Sequence, residues 1–121
     1  MVIGIDSIEI DSIENSIKSK RFVERVYGTT ELSELKLCGE NQKAQRCAAL
    51  FAAKEAFSKA LGTGIRGFSL SEVEVLHESS GKPYLHLSGS AKELAHKSGY
   101  SYEISITHTK SVATAIVIGY K

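Results

Sequence analysis

Hydrophobic and polar positions along this chain change period several times, and each change marks an element. Val2, Ile3, Ile5, Ile8 and Ile10 make a nearly continuous run of β-branched residues, the pattern of a buried strand, interrupted by one acid, Asp6. Asp11 followed by Glu14 has the form of a capping box and predicts a helix to about Tyr27, stopped at Gly28. Thr30 predicts the start of a short helix carrying Leu32, Leu35 and Leu37. From Asn41 to Leu61 the chain is rich in Ala, Leu, Lys, Gln and Glu, lacks Gly and Pro, and then meets Gly62-Thr63-Gly64. That segment predicts a long central helix of about 30 Å, with a strong stop at the glycines.

Beyond the stop the period becomes two. Val73 and Val75 alternate with Glu72 and Glu74, and Ser80-Gly81-Lys82-Pro83 turns the chain into Tyr84, Leu85 and Leu87, a strand, turn and strand. Ser90 with Glu93 forms a second capping box, predicting a helix through Lys97 that ends near Gly99. Tyr102, Ile104 and Ile106 alternate again, His108-Thr109-Lys110-Ser111 makes a break, and Val112 to Ile118 supplies a last apolar strand. This order predicts an α+β fold in which a mainly antiparallel sheet packs on the one long central helix. No repeat or linker interrupts it, so residues 1–121 are expected to form a single domain.

Composition narrows the function classes. A chain of 121 residues, 42% hydrophobic and 24% charged with one Pro, is long enough for one modest core and too apolar for disorder. Its formal charge of +1 provides no whole-molecule field for nucleic acid or an anionic membrane, so any anionic partner must meet a local patch. With neither a signal-like start nor an apolar run of membrane-spanning length, a cytoplasmic protein is expected. Cys38 and Cys47 read as buried or partly buried thiols, and His77, His86, His96 and His108 are scattered singly, so no structural zinc is expected.

Candidate chemistry concentrates in Phe51-Ala52-Ala53-Lys54-Glu55-Ala56-Phe57-Ser58-Lys59, where Glu55 and Lys59 stand one helical turn apart on a shared face. On its own this pair is equally a solvated surface ion pair. Asp6 adds a carboxylate inside an apolar strand, where burial is costly without a cation or several donors. It is either tied to backbone amides or a lysine, or, if the strand lies beside the long helix, it joins Glu55 in holding a divalent cation. Magnesium commonly binds through one or two carboxylates with water and substrate phosphate, so the second arrangement implies a phosphate-containing substrate. His108 opens a polar turn with Thr109 and Lys110 after a strand, and Gly62-Thr63-Gly64 offers backbone able to approach a ligand closely.

These residues resemble the holo-acyl-carrier-protein synthases, the small bacterial class of 4'-phosphopantetheinyl transferases. The likeness is carried by Gly4-Ile5-Asp6 with Glu9-Ile10, by Phe51 to Lys59 continuing through Gly64, by Gly81-Lys82-Pro83-Tyr84, and by Ser105-Ile106-Thr107-His108-Thr109-Lys110, in order over nearly the whole chain. The resemblance implies transfer of 4'-phosphopantetheine from coenzyme A to a serine of an apo acyl carrier protein, in fatty acid biosynthesis, with release of adenosine 3',5'-bisphosphate. It implies Asp6 and Glu55 as ligands of Mg²⁺. Lys59 would neutralise or protonate the leaving phosphate, and Glu55 would act, directly or through water, as the base for the serine.

Coenzyme A would further meet Gly62, Gly64, Lys82, Pro83, His108 and Thr109. The assembly implied is a homotrimer with active sites shared between neighbours. Relatives commonly carry an arginine where this chain has Leu50, and another where it has Ser12. The first change removes a phosphate contact and the second a contact to the acidic carrier. Lys18, Arg21 and Arg25, spaced as a basic stripe on the first helix, are the expected replacement for carrier docking. The alternative is a catalytically weak relative that only binds coenzyme A or a carrier protein. A magnesium-dependent phosphate hydrolase ranks lower, because no further acid or histidine cluster is evident for positioning water.

Overall fold

A computed structural model describes residues 1–121. Strand β1 (Val2–Glu9) leads into three short helices, α1 (Ile10–Ser16), α2 (Lys20–Val26) and α3 (Thr29–Leu35), and then into the long α4 (Glu40–Leu61). A 3-10 turn at Leu70–Glu72 precedes β2 (Val73–His77) and β3 (Pro83–Leu87), followed by α5 (Gly89–Ser98), β4 (Ser101–His108) and β5 (Val112–Tyr120). All strand pairing is antiparallel, as expected, but it is divided between a three-stranded sheet in the order β1-β5-β4 and a separate β2-β3 hairpin. No helix is long and apolar enough to cross a membrane.

Helix α4 passes through the middle of one core. Its buried positions, among them Cys47, Ala48, Leu50, Ala53, Ala56, Phe57 and Ala60, lie around its circumference, and the side chains of Ala113, Ala115 and Val117 on β5 close over it. The helix ends at Gly62 with φ of +87°, the left-handed cap predicted from the glycine stop. Small residues let β1 come close. A Cβ on Gly4 would run into the carbonyl of Ala56 and lie 2.6 Å from the Ala60 nitrogen, so only glycine allows the strand to touch the helix backbone there.

Strand β1 corrects the expectation of a fully buried strand. It is an edge strand whose faces alternate: Gly4, Asp6 and Ile8 turn toward α4, whereas Ile3 and Ile5 are 53% and 55% exposed on the opposite face. The single helix expected from Asp11 to Tyr27 is also two. The chain breaks at residues 17–19, and Ser19 caps α2 by accepting a hydrogen bond from the Phe22 amide at 3.2 Å. The Asp11-Glu14 capping box does not form, because α1 already starts at Ile10 behind Glu9.

Two further helix starts are capped by distant carboxylates instead of the local residues expected. Glu74 Oε2 accepts from the amides of Thr30 and Glu31 at 2.9 and 3.0 Å, at the start of α3, which begins at Thr29 behind Gly28. Glu72 accepts from the amides of Ser90 and Ala91 at 3.3 and 3.4 Å at the start of α5, so the Ser90-Glu93 box is likewise replaced. Both acids come from the entry to β2, which clasps the two helices to the same strand.

The largest polar feature of the core is an ion pair between Lys54 and Glu31, both side chains fully buried, with Nζ 2.6 Å from Oε1. Lys54 spends its other protons on the carbonyls of Leu70 and Val73, and Glu31 also accepts from the amides of Gly28 and Val75. Burial pulls the ammonium down and pushes the carboxyl up, and their mutual attraction opposes both shifts. Because every proton of the ammonium is satisfied, the pair fixes α3, α4 and β2 in one arrangement, and removing either member would cost about 3–5 kcal/mol.

Candidate active site

The close approach at Gly4 determines what happens two residues later. Asp6 faces the same side of β1 as Gly4 and so meets the last turns of α4, where Glu55 and Lys59 share a face. Lys59 Nζ stands 3.1 Å from Asp6 Oδ1 and donates to the Ile5 carbonyl at 2.9 Å. Glu55 lies within the field of both. Its carboxyl is pushed above the usual range first by burial and then by the Asp6 charge, while Lys59 pulls it back down. Asp6 is thus tied to a lysine, one of the two arrangements the sequence left open, with Glu55 near enough for the Asp6 charge to act on its carboxyl.

Asp6 also has an unfinished side. Its Oδ2 is buried and finds no hydrogen-bond partner. A buried carboxylate oxygen left bare is costly, and a hard cation is the kind of partner that would satisfy it. No cluster of three or more His, Cys, Asp or Glu residues converges here or elsewhere, so the chain offers an open pair of oxygen ligands instead of a closed cage. An open pair fits an ion that completes its shell with water and phosphate.

Glu55 lines an open cleft of about 1040 Å³ together with Arg21, Arg25, Phe22, Phe51 and Ile65. Two of the three basic residues expected to dock a partner therefore border the same cleft as Glu55. Lys18 does not share their helix, because it lies in the turn before Ser19. The aromatic wall went unnoticed in the sequence; Phe22 and Phe51 stack at 5.9 Å between ring centres, and only the i, i+4 spacing of Phe22 and Val26 hinted at that face. Gly62 and Gly64 follow directly after Lys59, both with positive φ and with open space where a Cβ would be, so their backbone is accessible.

The other expected ligand contacts lie elsewhere. The strand register sets Asp6 opposite Ala115 and Ala115 opposite Ile106, so His108 is two strands over and two residues along, about 12 Å away between Cα atoms. Helix α4 covers the space between these flanks of the sheet. His108 meets it near its start, where Gln45 Nε2 is 2.8 Å from His108 Nε2, about 15 Å along the helix from Glu55. The other ring nitrogen of His108, Nδ1, lies 3.3 Å from the Thr109 carbonyl oxygen. Thr109 Oγ1 accepts from the amides of Ser111 and Val112 and so builds the β4-β5 turn.

Lys82 reaches out toward Glu103, with Nζ 4.0 Å from Oε1. Pro83 and His108 border a second cavity, of about 400 Å³, whose wall also contains Arg46, Leu50, His77 and Ile106. Leu50, standing where the resemblance leads one to expect arginine, is 5% exposed and forms part of the core. A single subunit therefore gathers Asp6, Glu55, Lys59, Gly62 and Gly64 around the end of α4, and keeps Pro83, His108 and Thr109 near its start, with Lys82 turned to Glu103.

The chain is similar to known proteins over nearly its whole length. A family model described as the 4'-phosphopantetheinyl transferase superfamily matches residues 2–117. A holo-[acyl-carrier-protein] synthase of Fusobacterium nucleatum is 41% identical over 122 residues, covering 98% of either chain. Among solved structures, the holo-[acyl-carrier-protein] synthase of Neisseria meningitidis superposes with a TM-score of 0.91 over 100% of both chains at 31% identity. That of Bacillus anthracis, in complex with CoA (3',5'-ADP), superposes with a TM-score of 0.83 over 98% of this chain and 94% of its own at 35% identity.

Proposed function

Because the chain belongs to the 4'-phosphopantetheinyl transferase superfamily, we infer that it is a holo-[acyl-carrier-protein] synthase, moving 4'-phosphopantetheine from coenzyme A to a serine of an apo acyl carrier protein. The observation that carries the chemistry is the cluster of Asp6, Glu55 and Lys59 around the bare Asp6 Oδ2. Asp6 and Glu55 would hold Mg²⁺. When bound, that ion supplies positive charge against the pyrophosphate of coenzyme A and the oxygens that gain charge during transfer.

The residues of the chain do the rest. Glu55, ionised, takes the proton of the carrier serine directly or through one water, and the serine Oγ forms its bond to the phosphorus that bears pantetheine. The bond from that phosphorus to the bridging oxygen breaks, and adenosine 3',5'-bisphosphate leaves with the bond's electron pair. Lys59 neutralises that charge or gives it a proton. Gly62 and Gly64 let the backbone lie against the coenzyme. Arg21 and Arg25, beside the Phe22-Phe51 wall, meet the acidic carrier at the mouth of the Glu55 cleft, with Lys18 adding charge from the adjoining turn.

The assembly is a homotrimer with shared sites. Two features support it: Ile3 and Ile5 are exposed on the sheet face away from α4, beside the half-buried Ile116 and Ile118 of β5, and the two sets of ligand contacts lie apart along α4. A neighbour's Lys82, Pro83, His108 and Thr109 then complete the coenzyme site begun by Asp6, Glu55 and Lys59. One core of 21 buried residues serves residues 1–121, which supports their acting as one transferase domain, and a cytoplasmic location follows from that substrate pair.

Intact-mass measurement of an apo carrier protein incubated with the protein, coenzyme A and Mg²⁺ tests this reading. One added phosphopantetheine per carrier, abolished by a chelator, is expected. An unchanged carrier mass would leave only a binding protein.

A further inference from the structure

The second cavity, bordered by Pro83 and His108, poses a charge question. Two acids line it, and both are spoken for. Glu31 is neutralised by Lys54 at 2.6 Å, and Glu34 Oε1 is engaged by His77 Nδ1 at 3.3 Å. Its two histidines are occupied as well, His77 by Glu34 and His108 by Gln45 on one nitrogen and Thr109 on the other. What remains is Arg46, an exposed guanidinium in the first half of α4 that enters no ion pair. It is the one permanent charge in the wall without a counter-charge. Leu50, one turn further along the helix, lines the same cavity, so Arg46 and Leu50 share a face.

We propose that Arg46 is a substrate-binding residue that holds the 3'-phosphate of coenzyme A, replacing the arginine missing at position 50. This deepens the transferase reading above and rests on it. A cavity of about 400 Å³ has the size of a small-molecule site, and its wall provides what the ribose phosphate end of a nucleotide needs. Leu50, Ile106 and Pro83 are apolar surface for the base, and the guanidinium is a planar fork suited to two phosphate oxygens. Coenzyme A carries two anionic groups. The pyrophosphate belongs with Asp6, Glu55 and Lys59, which leaves the 3'-phosphate for the second cavity of a neighbouring subunit. His108 is held by Gln45 and Thr109, and Arg46 stands one residue along the helix from that partner Gln45, so the guanidinium adds a permanent charge beside His108.

The test compares coenzyme A with 3'-dephospho-coenzyme A, which differs only in the group concerned. Calorimetric binding of each compound to the full-length protein with Mg²⁺ is measured for the wild type, Arg46→Ala and Arg46→Lys, alongside KM and kcat for transfer. Wild type is expected to bind coenzyme A roughly tenfold to a hundredfold tighter than the dephospho form, the range for a hydrogen-bonded charge. Arg46→Ala should lose that preference by weakening only coenzyme A, with KM raised and kcat little changed, and Arg46→Lys should recover part of it. Equal preference in wild type and Arg46→Ala would overturn the proposal, even if transfer proceeds normally. Absence of transfer in every variant would instead refute the transferase reading, while the binding ratios would still decide whether Arg46 reads the phosphate.

Discussion

Lys59 reaches across 53 positions of sequence to set its Nζ 3.1 Å from Asp6 Oδ1, with its side chain 54% exposed and that of Asp6 only 17%. The lysine thus caps a carboxylate whose second oxygen is buried and bare. It holds Asp6 in place while remaining free to turn toward solvent and a phosphate.

Removing that cap should separate two effects. Lys59→Ala is expected to lower kcat by about a hundredfold or more, the usual cost of deleting a charge-stabilising donor. The half-saturating Mg²⁺ concentration should not rise, because Asp6 Oδ1 is released from its competitor. Initial rates across a magnesium titration check both, and unimpaired turnover would remove Lys59 from the mechanism.

Asp6→Asn and Glu55→Gln should each leave a residual rate that no longer responds to magnesium. If both side chains serve one ion, the double variant will be scarcely slower than either single one, since residues acting as a unit are not additive. A double variant whose loss is the product of the two single losses would show that the acids act separately.

Glu55 makes the metal-free protein less stable than it need be. Its carboxyl is raised by burial and by Asp6, so the folded state holds its proton to higher pH than the unfolded chain does. The stabilising effect of that proton is complete below the unfolded value near 4.5 and is lost as pH rises through the folded value. Glu55→Gln is therefore expected to raise the melting temperature in chelator at pH 7 to 8, with the difference shrinking below about pH 4.5. Thermal scans over that range read the sign directly.

Gly4→Ala should injure fold and site together. The added methyl meets backbone, not a movable side chain, at Ala56 and Ala60, and overpacking of this kind costs about 1–3 kcal/mol. Moving β1 off the helix also moves Asp6. Urea unfolding should show a lower midpoint, and the Mg²⁺ response should weaken in the fraction that stays folded. Ile3→Ala, on the exposed face of the same strand, should leave the Mg²⁺ response intact at high protein concentration.

Much of this arrangement was legible in the residues. The stop at Gly62, the two hairpins and the boundaries of α4 within one residue all follow from local rules of capping and periodicity. The association of Asp6 with Glu55 was expected from motif resemblance and from the cost of a buried acid; the Asp6 charge acts on the Glu55 carboxyl, while the direct partner of Asp6 is Lys59. Features set by distant partners were not legible. The caps on α3 and α5 arrive from Glu74 and Glu72, 18 to 44 positions away, beyond the reach of any rule confined to one helical turn. The break before Ser19 lacks glycine and proline; α1 packs on α4 while α2 turns to the 3-10 segment, and tertiary contact overrides helix propensity there. Lys54 passed as one more charge in a motif, although its neighbours Ala52, Ala53, Ala56 and Phe57 already placed it on a buried stretch.

The separation of Asp6 from His108 across the sheet and along α4 has a genetic corollary. In the proposed trimer, each polypeptide would lend one half of a reaction centre to a neighbour on its left and borrow the other half from a neighbour on its right. Co-expressing Asp6→Asn, which loses the magnesium response, with Arg46→Ala, which raises KM, would then give some mixed assemblies with an intact site, so a low-KM fraction of activity absent from either variant alone should appear in proportion to the dosage of the two.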